Sequence, residues 1–148
     1  MSDDTLLTVE GLVVRFAVKR GRGFGKNAYL HAVDNVNFTV KRGETLAIVG
    51  ESGSGKSTAA LAVARLVTSY QGKVLLNGTD LLHLSDEDLR QARAKVQFIF
   101  QDPYSSLNPR LRASDIVREP MDSLGHMTET EKSERIDFLF EAVGLRPE

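Results

Sequence analysis

The chain of 148 residues is long enough for a single domain with a substantial core, and its 41% hydrophobic and 26% charged content is ordinary for a soluble globular protein. A net charge of −1 gives no overall attraction to nucleic acid, and the lack of cysteine excludes disulfides and thiolate metal sites. Met1 to Glu10 has no apolar stretch of signal-peptide type, and no run approaches the roughly 18 residues of a membrane helix, so a cytoplasmic chain is expected.

The first elements read as strands. Leu6–Glu10 and Leu12–Phe16 are short β-type runs separated by Gly11, and Lys19–Lys26 is a basic, glycine-rich loop. The stretch from Arg15 to Lys26 carries five cations and no acid, the composition of a solvated loop. Leu30–Val40 is strand-like, with Val36, Phe38 and Val40 alternating over its second half. Lys41–Glu44 turns into Thr45–Val49, a short apolar run of β-forming residues.

The next segment carries the chemistry. Gly50, Gly55, Lys56 and Ser57 fit the phosphate-binding pattern G-x-x-x-x-G-K-(S/T), and the chain from Ser57 to Val67 reads as a helix. A strand, a glycine-rich turn and a helix N-terminus are the context in which this pattern works. Glycines at 50, 53 and 55 let the backbone bend and approach a ligand closely, so that the N–H groups of Glu51, Ser52, Gly53 and Ser54 can line a concave anion nest. The positive end of the following helix points the same way. Lys56 is placed to meet the β- and γ-phosphates of a nucleotide, Ser57 to offer its hydroxyl to Mg²⁺, and Thr58 to contact the α-phosphate.

Beyond the loop, Lys73–Leu76 is strand-like and Asn77-Gly78 is a tight-turn signal. Ser85 is an N-cap followed by Asp86, Glu87 and Asp88, and a helix continues through Leu89 to Ala94. Val96–Phe100 reads as a buried strand ending at Gln101-Asp102-Pro103, and Tyr104–Arg112 as a loop. Helices are expected over Ser114 to about Leu124 and over Glu129 to Val143. The second starts in a capping box at Thr128–Glu131, stops at Gly144, and has Ile136, Leu139, Phe140 and Val143 on one face.

Three pieces in this order carry a family resemblance: Ala32–Val36 leading into Lys41–Gly50, the phosphate loop with Glu51-Ser52 after its first glycine, and Phe98–Arg110. Together they resemble the ATP-binding subunits of ABC transporters, specifically the oligopeptide and dipeptide importers. The resemblance covers essentially the whole chain. It implies an α/β fold: a P-loop NTPase core with an N-terminal antiparallel β subdomain, over about residues 1–111, and the start of a helical subdomain over about 112–148.

The same resemblance implies roles and partners. Gln101 would reach Mg²⁺ or the attacking water and sense the γ-phosphate, while Phe16 would stack on adenine, with Tyr29 as its rival for that position and a plain core role for Phe16 as the other reading. The cofactors are ATP and Mg²⁺. The partners are transmembrane permease subunits, met near Tyr104–Arg112, and a second nucleotide-binding subunit arranged head to tail, with no nucleic acid. That places the chain peripherally on the inner face of the cell membrane.

The family's later motifs, a glycine-rich signature, a strand ending in Asp-Glu and a switch histidine, have no match before Glu148. Asp102 follows a run broken by Gln101, and Pro103 stands where the catalytic Glu would be. His31, His83 and His126 lie in the wrong context for the switch. The expectation is the first half or so of a nucleotide-binding domain, catalytic through Lys56 and Gln101 in a complete protein and inactive in ATP turnover alone. Two other readings are a small P-loop kinase and a non-catalytic nucleotide-binding fragment.

Overall fold

The computed structural model describes residues 4–18, 28–102, 106–125 and 127–146. The basic loop at Lys19–Lys26, with Pro103 to Ser105 and His126, lies outside them. The chain divides into two units, Met1–Val96 and Gln97–Glu148.

The first unit is built on an antiparallel sheet of four strands in the order β2-β1-β3-β4. The two β runs around Gly11 form a single strand, β1 (Thr5–Val18), that pairs along its length with β2 (Ala28–Lys41). Gly11 takes φ +57° where the β1–β2 register shifts between Val9 and Leu12, and its N–H is held by Asn37 Oδ1 at 2.7 Å. One continuous strand thus bends without leaving that amide unsatisfied. In β2, Val36, Phe38 and Val40 are half-buried and Asn37 and Thr39 exposed, as the alternation requires. β3 (Gln71–Leu76) joins β4 (Thr79–Asp80) through Asn77 and Gly78, both at positive φ (+48° and +79°), the backbone of a two-residue hairpin turn.

Helix α1 (Lys56–Val63) packs Ala59 and Ala62 against Val9, Leu12, Val14, Val33, Val74 and Leu81 to form the core of this unit. It stops short of the expected Val67. Arg65 turns left-handed at φ +52° and sends its guanidinium to the carbonyls of Leu84 (2.7 Å) and Leu81 (3.4 Å). A 3-10 turn at Leu81–His83 is capped by Asp80, and α2 (Asp86–Arg93) begins at Ser85, whose Oγ accepts from the Asp88 N–H at 3.2 Å.

Two expected strands are not formed. Thr45–Val49 pairs with no strand, and Leu46 and Ile48 are exposed, Val49 86% so. In Val96–Phe100 likewise no residue is in a sheet, and Ile99 is 90% exposed. Apolar runs of this kind become buried parallel strands only when neighbours on both sides take up their N–H and C=O groups. No described residue supplies such a neighbour.

In the second unit, α3 (Ala113–Leu124) and α4 (Glu129–Ala142) form a helical pair. The capping box at α4 is complete. The Glu131 N–H donates to Thr128 Oγ1, and Glu131 Oε2 accepts from the Thr128 N–H at 2.7 Å. Phe140 is buried and Ile136 and Leu139 are half-buried, but Val143 is 70% exposed. The helix has ended at Ala142, so Val143 no longer follows the helical face expected for it. No helix among the described residues is long and apolar enough to cross a membrane.

Candidate nucleotide site

The phosphate-loop pattern folds into a tight backbone turn against strand β2. The Ser54 N–H donates to the Glu51 carbonyl at 3.2 Å, and Gly53 and Gly55 stand at φ +82° and +90°. Gly55 is the residue before α1, in the left-handed conformation, and its Cα faces the Ala32 carbonyl so closely that a Cβ would collide with that oxygen. Glycine is required here twice, by dihedral angle and by space.

Among the described residues no side chain caps α1. Its first-turn amides lie at the positive end of the helix dipole, the arrangement that receives an anion. The Lys56 ammonium donates to the carbonyls of Glu51 (2.6 Å) and Gly50 (3.0 Å) and to Ser54 Oγ (3.4 Å). It is thus held over the loop by neutral acceptors. Charge-assisted bonds to phosphate oxygens are roughly twice as strong as bonds between neutral groups, so a polyphosphate competes well for it.

A cleft of about 510 Å³ joins this loop to the sheet. Gly53, Ser54, Gly55, Lys56, Ser57 and Thr58 line one part, and Phe16, Leu30, His31 and Ala32 the other. Phe16 and Leu30 are directly opposed in the β1–β2 ladder, which brings both to the same wall. The cleft therefore offers anion-binding amides and a lysine at one end and an exposed aromatic ring at the other. Tyr29 is not among its lining residues; its ring lies against the Arg15 guanidinium, 4.5 Å from the ring centre. A second concavity of about 660 Å³ shares Ser54, Gly55 and Lys56, but it is walled by Val33, Val36, Phe38, Leu46 and Ile48 and reaches neither Phe16 nor Ser57.

Most of the sequence-derived residues are thus in one place. Gly53 through Thr58 and Phe16 line the cleft, while Gly50, Glu51 and Ser52 complete the exposed loop beside it. Gln101 belongs to the second unit and is exposed. Sequence reasoning missed Leu30, His31 and Ala32 as cleft walls. Only the register that sets Leu30 opposite Phe16 identifies them, and the hairpin that fixes it crosses the basic loop.

Comparisons with known proteins give the chain's family and fold. The family model described as "ABC transporter" matches residues 33–148. A probable peptide ABC transporter ATP-binding protein of Sinorhizobium fredii is 43% identical over 145 residues, covering 98% of this chain and 41% of the relative. An oligopeptide transport ATP-binding protein of Bacillus subtilis is 40% identical over 147 residues, covering 99% of this chain and 45% of the relative. A glutathione import ATP-binding protein of Salmonella paratyphi A is 43% identical over 145 residues, covering 98% and 23%. The chain therefore spans less than half the length of these relatives. Among solved structures, the dimeric bacterial ABC transporter cassette MJ0796 is similar at TM-score 0.71 with 29% identity, covering 88% of this chain and 53% of that one. The same cassette bound to ADP and Pi gives TM-score 0.73 with 28% identity, covering 92% and 56%. The solved cassettes show the fold to be that of part of an α/β P-loop NTPase.

Proposed function

The chain belongs to the ABC transporter family, and from that premise we propose that it binds Mg–ATP in the cleft between the phosphate loop and β1–β2, as part of an ATP-binding subunit of a peptide importer. The observation that carries this reading is the single cleft that both Phe16 and residues 53–58 line. Loop and first-turn amides hold the phosphates, Lys56 neutralises their β and γ charge, and Phe16 stacks on the base. ATP brings the phosphoanhydride whose cleavage drives transport in the complete protein. Mg²⁺, a hard cation that keeps most of its ligands as phosphate oxygens and water, would take the Ser57 hydroxyl from the phosphate loop, while Gln101, the other ligand that the family resemblance implies, belongs to the second unit.

The peptide substrate is supported by the names of the relatives, which are ATP-binding proteins of a peptide ABC transporter, of oligopeptide transport and of glutathione import. Permease subunits are expected to dock near Tyr104–Arg112, where the described residues 106–112 are all exposed. A second ATP-binding subunit is supported by the dimeric state of the similar cassette. Localisation at the inner face of the membrane follows from those partners.

The 148 residues themselves bind ATP without turning it over, because no residue in them matches the water-activating Glu or the signature. Titration with ATP and Mg²⁺ by calorimetry, beside a phosphate-release assay, tests both parts. Binding that drops at least about tenfold in Lys56→Ala, the loss of one charge-assisted contact, is the expected result. Binding indifferent to Lys56 would remove the site. Release of phosphate that disappears in Lys56→Ala would overturn the second part.

A further inference from the structure

Phe16 has little packing to hold it: it is 44% exposed, and Ala17 and Val18 beyond it are exposed as well. Its neighbour Arg15 is half-buried, and alternation along β1 sends the two side chains to opposite faces of the sheet. On its own face the Arg15 guanidinium lies 3.0 Å from the centre of the Tyr70 ring and 4.5 Å from that of Tyr29. These rings come from different parts of the chain. Tyr29 is in β2, paired with Ala17, whereas Tyr70 lies between α1 and β3 and donates its N–H to the Val13 carbonyl at 2.8 Å. The arginine therefore ties together β1, β2 and the segment leaving the phosphate-loop helix, one residue from the ring that faces the cleft. A planar guanidinium stacks on aromatic faces in a way that an ammonium does not reproduce.

We propose that Arg15 is a positioning residue for the base end of the nucleotide cleft: its stack between Tyr29 and Tyr70 fixes the β1 backbone that aims Phe16 across the phosphate loop. The proposal rests on the reading of the cleft as an ATP site. It acts on the base contact alone, since Arg15, Tyr29 and Tyr70 stand outside the set of residues that line the cleft.

The test compares ATP with inorganic tripolyphosphate, each with Mg²⁺, by calorimetry on the full chain. It uses the wild type, Arg15→Ala, Arg15→Lys, Phe16→Ala and the Arg15→Ala/Phe16→Ala double variant. Removing a stacked base contact corresponds to about a 5- to 150-fold loss of affinity. Arg15→Ala is expected to weaken ATP by up to that factor and leave tripolyphosphate unchanged, Arg15→Lys to recover only part, and the double variant to bind ATP no more weakly than Phe16→Ala. Equal losses for both ligands would show a general structural role and overturn the proposal, as would independent, multiplying losses in the double variant or unchanged ATP binding in Arg15→Ala. If Phe16→Ala leaves ATP binding intact, the base contact fails and the proposal with it, while the phosphate site stands. If the wild type binds neither ligand, the reading of the cleft itself is wrong.

Discussion

Gly55 shows how one residue joins the phosphate loop to the sheet. Its φ of +90° excludes most L-residues, and the Ala32 carbonyl fills the space that a side chain would need. Gly53, at φ +82°, has nothing within 4 Å of the place a methyl group would take, and so carries the dihedral demand without the collision. The two glycines therefore separate strain from clash. Gly53→Ala is expected to cost about 1 kcal/mol in stability. Gly55→Ala is expected to cost more, and also to remove any rise in melting temperature on adding ATP, because the loop must leave β2 to relieve the contact. Thermal melts of both variants with and without Mg–ATP check the difference. Equal behaviour of the two would mean that the approach to Ala32 is unimportant.

At the scale of elements, the α3–α4 pair is joined by charge. Lys132, with its side chain only 11% exposed, donates to Asp122 Oδ1 at 2.6 Å and Glu129 Oε1 at 3.0 Å, and Arg118 donates to the other oxygens of the same two carboxylates at 2.9 and 2.6 Å. Hydrogen bonds from Lys132, then from Arg118, hold both carboxyls below their ordinary values of 3.8 and 4.5. A carboxylate whose folded pKa is depressed contributes stability that is fully present above its unfolded value. That contribution is lost as pH falls through the lowered folded value. The helical pair should therefore hold its full stability above about pH 5 and weaken progressively below about pH 4, by the ordinary carboxylate range. Asp122→Asn should flatten this dependence. Helical circular dichroism during thermal melts between about pH 7 and pH 3, a range chosen about the ordinary carboxylate values, would show it. An unchanged pH profile in Asp122→Asn would assign the acid sensitivity elsewhere.

For the molecule as a whole, the core of the first unit is also the support of the site. Leu12 and Val14 are fully buried in β1, with Val74 from β3 and Ala62 from α1, so the sheet carrying Phe16 and the helix carrying Lys56 share one apolar layer. Leu12→Ala is expected to cost about 2–5 kcal/mol, a transfer loss plus the cavity left behind. Urea titration should show the lower midpoint, and ATP affinity measured below that midpoint should fall with it. A destabilised variant with normal ATP affinity would uncouple core from site.

Much of this was legible along the chain. The phosphate loop, the Ser85 cap, the Thr128–Glu131 capping box and the Asn77-Gly78 turn are contiguous patterns, and each depends on hydrogen bonds or dihedrals within a few residues. So is the alternation of Val36, Phe38 and Val40, because a strand's side-chain period belongs to its own backbone. Other features required distant partners. Apolar content marked Thr45–Val49 and Val96–Phe100 as strands, yet strand pairing is a property of neighbours and none is present among the described residues. The choice between Phe16 and Tyr29 rested on a β1–β2 register that the intervening basic loop hid from sequence; pairing sets Phe16 opposite Leu30 at the cleft and leaves Tyr29 stacked on Arg15. Local chemistry therefore marked the phosphate-loop pattern, and only tertiary contact, which brings residues far apart in sequence onto one wall, decided which ring lines the cleft beside it.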